Sequence, residues 1–188
     1  MSDLTITNGG VAVTANSAGS SISTGRRKVI RVTPTLETSE YIAGDILFNS
    51  VEIPNAVRED GGCSKLVAAF LRQDHNTNVP MEIIFTENAV TFGTVNGTAS
   101  AGDSTIKAGN VLGYISCESA DDTTNYIDNS KIKRIYDNRT DADHRSPGFD
   151  PMLLQAASDS TSVYFAALGG ATVTFGADDL EFIFHIEY

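Results

Sequence analysis

Several residue types are scarce in this chain of 188 residues, and these scarcities limit the kinds of partner that it can bind. Tryptophan is absent, and 13 Lys and Arg stand against 24 Asp and Glu, for a formal net charge of -11. Because phosphate backbones repel acidic surfaces, nucleic-acid binding would need a strongly segregated basic patch. No apolar run approaches the ~20 residues of a membrane-spanning helix. We therefore expect neither a nucleic-acid nor a membrane partner.

Cysteine is also rare, with Cys63 and Cys117 as the two examples. Neither lies in a CxxC pair, and the first residues show no basic segment followed by an apolar one, so we expect no secretory signal. The sequence therefore predicts two free thiols in a protein assembled in the cytosol; a structural disulfide is the alternative.

The basic residues that are present cluster near one end of the chain, as Arg26, Arg27, Lys28 and Arg31. Residues 34–188 carry only 9 basic residues against 23 acidic ones. This distribution predicts a short basic hinge before an acidic body. Such a hinge suits an acidic protein surface at least as well as nucleic acid, which makes these four residues the candidate partner-binding site. The alternative is a solvated strand start.

Two regions differ in composition. Residues 1–27 are rich in Ser, Thr, Asn, Gly and Ala, with short strand patterns near residues 4–6 and 11–13, and are interpreted as a polar N-terminal arm. Ordering backbone costs roughly 1–2 kcal/mol per residue, so we expect the arm to order against a partner. The alternative is an ordinary frayed terminus. Residues 28–188 are predicted to form one β-sandwich domain.

Period-2 patterns and turn residues dominate that domain. They predict strands at residues 28–33, 45–51, 65–73, 80–87, 91–95, 111–117, 131–136, 161–168, 171–175 and 180–188. The strands at 65–73 and 80–87 are expected to pair as a hairpin. Helical turns are predicted at 104–108, with Ser104 as the cap, and at 151–157. The fold class is therefore all-β, a jelly-roll-like antiparallel β-sandwich.

The last strand has the clearest pattern. Leu180, Phe182, Phe184, Ile186 and Tyr188 alternate with polar residues, and Ile183 is the exception. This alternation predicts a half-buried strand that ties the C-terminal residues into a sheet.

Residues with catalytic or metal-binding potential are few. The chain has no GxSxG, HExxH or Walker A pattern, and its three histidines are scattered. A loop at 137–150 holds four aspartates, for which a solvated acidic loop and a Ca²⁺ site are both open, although the spacing does not match an EF-hand. We expect no enzyme activity and no cofactor.

One segment carries a family resemblance. It reads YIAGDILF from residue 41, EIPNAVR from residue 52 and GG at 61–62, after the run VTPTLET at 32–38. It resembles a group of small jelly-roll virion proteins of tailed bacteriophages that includes the capsid decoration, or cement, proteins. The strands at 66–73, 81–86 and 161–168 and the closing hydrophobic strand resemble the same group more weakly.

The resemblance implies a structural virion protein on the outer capsid surface, made in the host cytoplasm. It implies the major capsid protein and a homotrimer of the chain itself as partners. Two other functions stay open: another virion component, such as a neck, tail or fibre-associated β-sandwich, and a carbohydrate-binding module. For the latter, Tyr114, Tyr126, Tyr136 and Tyr164 are the candidate aromatic platforms.

Overall fold

The computed structural model describes residues 27–74, 79–117, 130–135 and 151–188, and the backbone of 5–8, 11–14 and 123–125. Its elements, in chain order, are β1 (Thr5–Asn8), β2 (Val11–Thr14), β3 (Arg27–Val32), β4 (Glu40–Tyr41), β5 (Ile46–Ile53), β6 (Cys63–Asp74), β7 (Met81–Thr86), α1 (Asp103–Gly109), β8 (Val111–Cys117), β9 (Thr123–Asn125), β10 (Ser130–Ile135), β11 (Met152–Gln155), β12 (Val163–Gly169), β13 (Val173–Thr174) and β14 (Leu180–Glu187).

Eight principal strands are divided between two antiparallel sheets. The six-stranded sheet has the order β3-β14-β6-β10-β9, and β11 pairs with the first residues of β6. The four-stranded sheet has the order β5-β12-β7-β8. When the principal strands are numbered along the chain, the sheets read 1-8-3-6 and 2-7-4-5, the strand order of a jelly roll. The predicted fold class is confirmed. In the arm, β1 and β2 pair as a separate two-stranded sheet.

The two sheets pack through a cluster of aromatic rings. Phe165 of β12 lies 5.0 Å from Phe182 and 5.1 Å from Phe184 of β14, both edge to face, and Phe48 of β5 lies 5.3 Å from Phe165. Edge-to-face pairs add to the large apolar area that each ring buries. The predicted buried face of the last strand is confirmed, since Leu180, Phe182, Phe184 and Ile186 are fully buried.

The C-terminal end of β14 is fastened on both sides. This strand lies between β3 and β6, so it pairs along both of its edges. Beyond it, the Tyr188 hydroxyl donates a hydrogen bond to the Asn55 carbonyl at 2.6 Å, and the Arg58 guanidinium lies 5.5 Å from the centre of the Tyr188 ring. The predicted attachment of the C-terminal residues to a sheet is confirmed.

Residues 87–110, which join β7 to β8, cover the outer face of the four-stranded sheet. They form a second small apolar cluster with that sheet, in which Ile46, Phe92 and Ala166 are buried. The Asn49 side chain holds this segment, since it accepts the Phe92 N–H at 2.8 Å and donates to the Gly93 carbonyl at 2.9 Å. The same segment covers part of the backbone edge of β5, since the Ile46 N–H donates to the Gly97 carbonyl and the Ile46 carbonyl accepts the Asn96 N–H, both at 2.9 Å.

Three local predictions are wrong. β6 and β7 do not form a hairpin, because they belong to different sheets. Residues 91–95 form no strand, because the Asn49 side chain binds the Phe92 N–H and the Gly93 carbonyl, and the Phe92 carbonyl accepts N–H groups of the loop at residues 100 and 101. Residues 152–155 form β11 instead of a helical turn, because pairing with β6 buries Leu154 and exposes Leu153 in strand alternation. Local helical preference yields there to tertiary pairing.

The helix predicted at 104–108 is present as α1, but its cap differs. Gly102 occupies the N-cap position and supplies no side-chain bond, so Ser104 is not the cap. Asp103 in the first turn complements the helix dipole instead.

Candidate docking surface

The predicted basic site lies on an edge strand of the sandwich. β3 pairs along its whole length with β14, from Arg27 opposite Glu187 to Val32 opposite Phe182, and no other described strand pairs with it. Arg27, Lys28 and Arg31 are therefore part of a sheet rather than of a hinge before it, and all three are exposed. Arg26 lies outside the described residues.

The strand order brings these residues together with other basic residues that are distant in sequence. Of the ten Lys and Arg in the described residues, eight lie on strands of the six-stranded sheet: Arg27, Lys28, Arg31, Lys65, Arg72, Lys131, Lys133 and Arg134. The described strands of this sheet carry three carboxylates, on Asp74, Glu181 and Glu187, and so a net charge of +5. The strands of the four-stranded sheet carry no Lys or Arg.

The register decides which of these side chains face away from the core. Arg31 is opposite the outward-facing Ile183, which is opposite Phe70, which is opposite Arg134. A second outward row runs from Arg27 through Glu187 and Lys65 to Leu153. We call this outer surface of β3, β14, β6, β10 and β11 the basic face. Lys28, Lys131 and Lys133 have the opposite orientation, since they lie opposite the buried Ile186, Gln73 and Leu71. The outward positions therefore carry five basic residues against three carboxylates, a net of +2: Arg27, Arg31, Lys65, Arg72 and Arg134 against Asp74, Glu181 and Glu187. Lys133 is fully buried, and its Nζ lies 3.4 Å from the Val79 carbonyl oxygen.

Ion pairs cross the basic face from strand to strand. Arg27 Nε lies 2.9 Å from a Glu187 carboxylate oxygen, and Arg31 and Arg72 each lie 3.4 Å from Glu181. Arg72 also binds Asp74. Exposed pairs of this kind contribute roughly 0–1 kcal/mol each, so they order the face more than they stabilise the fold.

Two groups at one end of this row of ion pairs, Arg72 and Asp74, have shifted pKa values. The hydrogen bond from Arg72 holds the pKa of the Asp74 carboxyl below its ordinary value, and the Ser130 hydroxyl, which also donates to Asp74, lowers it further. In turn, the hydrogen bond to Asp74 raises the pKa of Arg72. Asp74 is thus a stable anion where β6 meets β10.

An apolar strip lies between the charged rows of the basic face. Ile183, the exception in the last strand's alternation, is 8% exposed although it faces outward, because Phe70 and Arg31 lie beside it. The His185 ring lies 5.1 Å from the Phe70 ring. Val29 at 51% and Leu153 at 56% exposure extend the strip toward the sheet edges.

The opposite side of the sandwich has the reverse charge. We call the outer surface of the four-stranded sheet, with the covering residues 87–110, the acidic side. Among the described residues, it carries Glu52, Glu82, Glu87 and Asp103 against one basic residue, Lys107. It also carries two exposed apolar residues on β8, Val111 at 47% and Tyr114 at 60% exposure.

The residues that carry the family resemblance build turns and anchors rather than a contact site. Tyr41 is buried, and its hydroxyl accepts the Glu37 N–H at 2.8 Å and donates to the Leu47 carbonyl at 3.2 Å. Gly44 has a φ of 93°, and the Asp45 carboxylate closes the turn by accepting the Ile42 N–H at 2.8 Å. This part of the segment is therefore a turn.

Other candidate residues are placed as follows. Cys63 is exposed and Cys117 is buried, and neither is in a disulfide bond, as predicted. Within the described residues no three His, Cys, Asp or Glu side chains form a group that could hold a metal ion, and no helix is long and apolar enough to cross a membrane. Tyr164 of β12 is half-buried. His75, His144, Tyr126, Tyr136 and the acidic loop at 137–150 lie outside the described residues.

A shallow depression of about 410 Å³ lies at one end of the sandwich. Gly44, Glu82, Cys117 and Gly169 contribute to its lining. Among the described residues of its lining, Glu82 and Cys117 carry ionisable side chains.

Sequence reasoning missed Lys65, Arg72 and Arg134 as companions of the basic strand. Each stands at an outward position of a strand that was expected, so the period-2 pattern gave a signal for exposure. Their proximity to Arg27 and Arg31 depends on β14, which lies between β3 and β6 although it comes last in the chain.

Comparison with known proteins adds little to this description. No protein-family model matches the chain, and no curated protein matches it. Among solved structures, it is similar to the VP2 subviral particle of infectious bursal disease virus, with 10% identity and a TM-score of 0.27. The match covers 97% of this chain and 45% of that one, so the chain spans less than half the length of this neighbour. The fold assignment rests on strand order instead.

Proposed function

We propose that the chain is a structural virion protein, a decoration or cement protein on the outer surface of a tailed-phage head. It acts as a homotrimer, binds the major capsid protein and stabilises contacts between capsid subunits. It is made in the host cytoplasm. The proposal includes no catalysis and no cofactor.

The observation that supports it best is the division of the surface. A jelly roll is common to viral capsid domains, lectins and cupins, so the fold by itself selects no function. A rigid sandwich with a net basic sheet on one side and a net acidic side opposite suits repeated protein–protein contacts. Each contact can be modest, because many copies on one lattice add avidity. The resemblance at residues 41–62 supports a phage head as that lattice.

The test is cosedimentation of the purified protein with empty shells assembled from the major capsid protein encoded with it. We expect saturable binding in fixed proportion to capsid subunits, and shells that resist heat or dilution better when decorated. Binding of a single ring per particle would assign the protein to the neck or tail.

A carbohydrate-binding function would be detected by a glycan array that is run beside the sedimentation experiment. Exposed Tyr114 is an aromatic platform of the kind that stacks on sugar rings. The decoration proposal would be overturned if the protein bound to a glycan array, if Tyr114→Ala abolished that binding, and if the shells stayed bare after sedimentation.

A further inference from the structure

β10 and β11 lie end to end along one edge of β6. Ile135, the last residue of β10, is opposite Ala69, and Met152, the first residue of β11, is opposite Leu66. Both strands run antiparallel to β6, whose other edge pairs with β14. At about 3.4 Å per residue along β6, the two ends are ~10 Å apart. The chain between them therefore leaves the six-stranded sheet and returns to it on the same line. We call residues 136–150 of this connection the inserted segment.

The inserted segment is long enough to cross the basic face. A chain of this length spans at most about 50 Å when extended, so with both ends fixed beside β6 it reaches about 25 Å away from that strand. Neighbouring strands are ~4.8 Å apart, which places β3, two strands from β6, about 10 Å away. The segment can therefore pass over β14 and reach β3.

Charge favours contact between the inserted segment and the basic face. The segment contains four aspartates and two arginines, a net charge of -2. The arginines of the cross-strand ion pairs already have carboxylate partners on the face. Lys65 is exposed and forms no ion pair with any other described residue. Because Lys65 is opposite Leu153, just beyond the point where the chain returns to the sheet, it lies within reach of a carboxylate of the segment.

Exposed apolar residues lie at both ends of the same path. Leu153, which is 56% exposed, follows the point of return, and Val29, which is 51% exposed, lies on β3. The inserted segment contributes Tyr136, Pro147 and Phe149. Apolar side chains surrounded by charge on both partners are the usual composition of a protein–protein contact.

The other sheet of the sandwich has a cover of this kind. Residues 87–110 leave β7, pack on the outer face of the four-stranded sheet and return to it as β8. A connection between two strands of one sheet thus already covers the outer face of that sheet.

We propose that the inserted segment binds the basic face of its own chain, passing from β6 over β14 to β3. Its two fixed ends give it an effective concentration on the order of mM at this face, which a separate molecule at micromolar concentration does not match. Residues 1–25 carry a single charge, Asp3, so charge favours the inserted segment over the N-terminal arm as the occupant. A partner that binds the basic face has to displace this segment. The inference goes beyond the proposed function and does not depend on it.

The experiment is nuclear magnetic resonance of the full chain with a nitroxide spin label, which weakens the amide signals of residues close to it. Val29→Cys places the label on β3. Tyr114→Cys is the matched control on the acidic side, because the exposed fractions of the two residues, 51% and 60%, are similar. Both variants also carry Cys63→Ser, since Cys63 is exposed and would be labelled, whereas Cys117 is buried.

We expect the label at position 29 to weaken the signals of residues 140–146, the middle of the inserted segment, at least fivefold. The label at position 114 should leave them unchanged. Full signals with the label at position 29, or equal losses from both labels, would overturn the proposal. A mixture of isotope-labelled chain without nitroxide and nitroxide-labelled chain without isotope tests a second copy. Loss of signal in that mixture, with none inside single molecules, would assign the face to the segment of another copy and overturn binding within one chain.

Charge variants test the attraction itself. Lys65→Glu should restore at least half of the lost signal, and so should replacement of the four aspartates of the segment by asparagine. Lys107→Glu, which changes an exposed lysine of the acidic side, is the matched control and should restore none. Thermal unfolding of each variant confirms that it folds. Equal restoration by Lys65→Glu and Lys107→Glu, or none by the asparagine variant, would contradict the proposed pairing of charges.

Discussion

The outer faces of the two sheets differ in how far other segments cover them. The four-stranded sheet is covered by residues 87–110, which bring their own small apolar cluster and cover part of the edge of β5. The six-stranded sheet keeps its outer face uncovered by comparable described segments and carries cross-strand ion pairs and exposed Val29 and Leu153 there. Both share one aromatic core. The comparison shows that the main stabilising contacts lie between the sheets, whereas the surfaces that a partner can contact are on their outer sides.

The largest expected effect concerns the shared core. Phe165→Ala removes a ring that contacts Phe48, Phe182 and Phe184, and should lower the free energy of unfolding by about 3–5 kcal/mol. Phe92→Ala, in the small cluster under the cover, should cost less because fewer buried neighbours surround that ring. Urea unfolding followed by fluorescence or circular dichroism measures both. An equal or larger loss for Phe92→Ala would contradict this ranking of the two regions.

The next effect concerns residues 87–110, which cover the four-stranded sheet. Asn49→Ala leaves the Phe92 N–H and the Gly93 carbonyl without their partner and should cost about 1–3 kcal/mol. Hydrogen exchange should rise in residues 87–110 and stay unchanged in β14. Asn88→Ala, which removes an exposed bond to the Ala108 carbonyl, is the control and should have a small effect. Unaltered exchange in the cover would mean that Asn49 does not hold it.

A smaller effect is expected at the end of the last strand. Tyr188→Phe keeps the ring beside Arg58 but removes the hydroxyl that donates to Asn55, and should cost roughly 0.5–1.5 kcal/mol. Tyr188→Ala should cost more, since it also removes the ring. Chemical unfolding measures both variants. Identical losses would show that the ring alone fastens this end.

The smallest effect is acid sensitivity on the basic face. Because the folded pKa of Asp74 is lower than its unfolded value of ~3.9, its contribution is complete above that value. The contribution is lost as the pH falls through the folded pKa. Both partners are partly exposed, so the effect should stay below about 1 kcal/mol. Arg72→Gln should flatten this acid limb of the stability profile, and an unchanged limb would assign the acid loss to other carboxylates.

Much of the fold follows from local pattern. The strand at 111–117 has the predicted bounds, and the last strand differs by one residue, because β alternation is strong in both. The turn at Gly44–Asp45 follows from a residue that tolerates positive φ and a carboxylate that can cap a turn. Such features depend on neighbours in sequence, which a single chain makes visible.

Long-range pairing is what local pattern does not encode. The hairpin expected between residues 65–73 and 80–87 fails because each strand finds its partners far along the chain, β14 for one and β12 for the other. The candidate docking surface also depends on long-range strand pairing. Arg31 and Arg72 both lie near Glu181 only because β14 lies between β3 and β6.

The most direct test of the account is a cryo-electron microscopy reconstruction of empty phage shells incubated with the purified protein. We expect density for three copies over three-fold and quasi-three-fold positions on the outer surface. Bare shells, or density confined to the neck or tail, would contradict it.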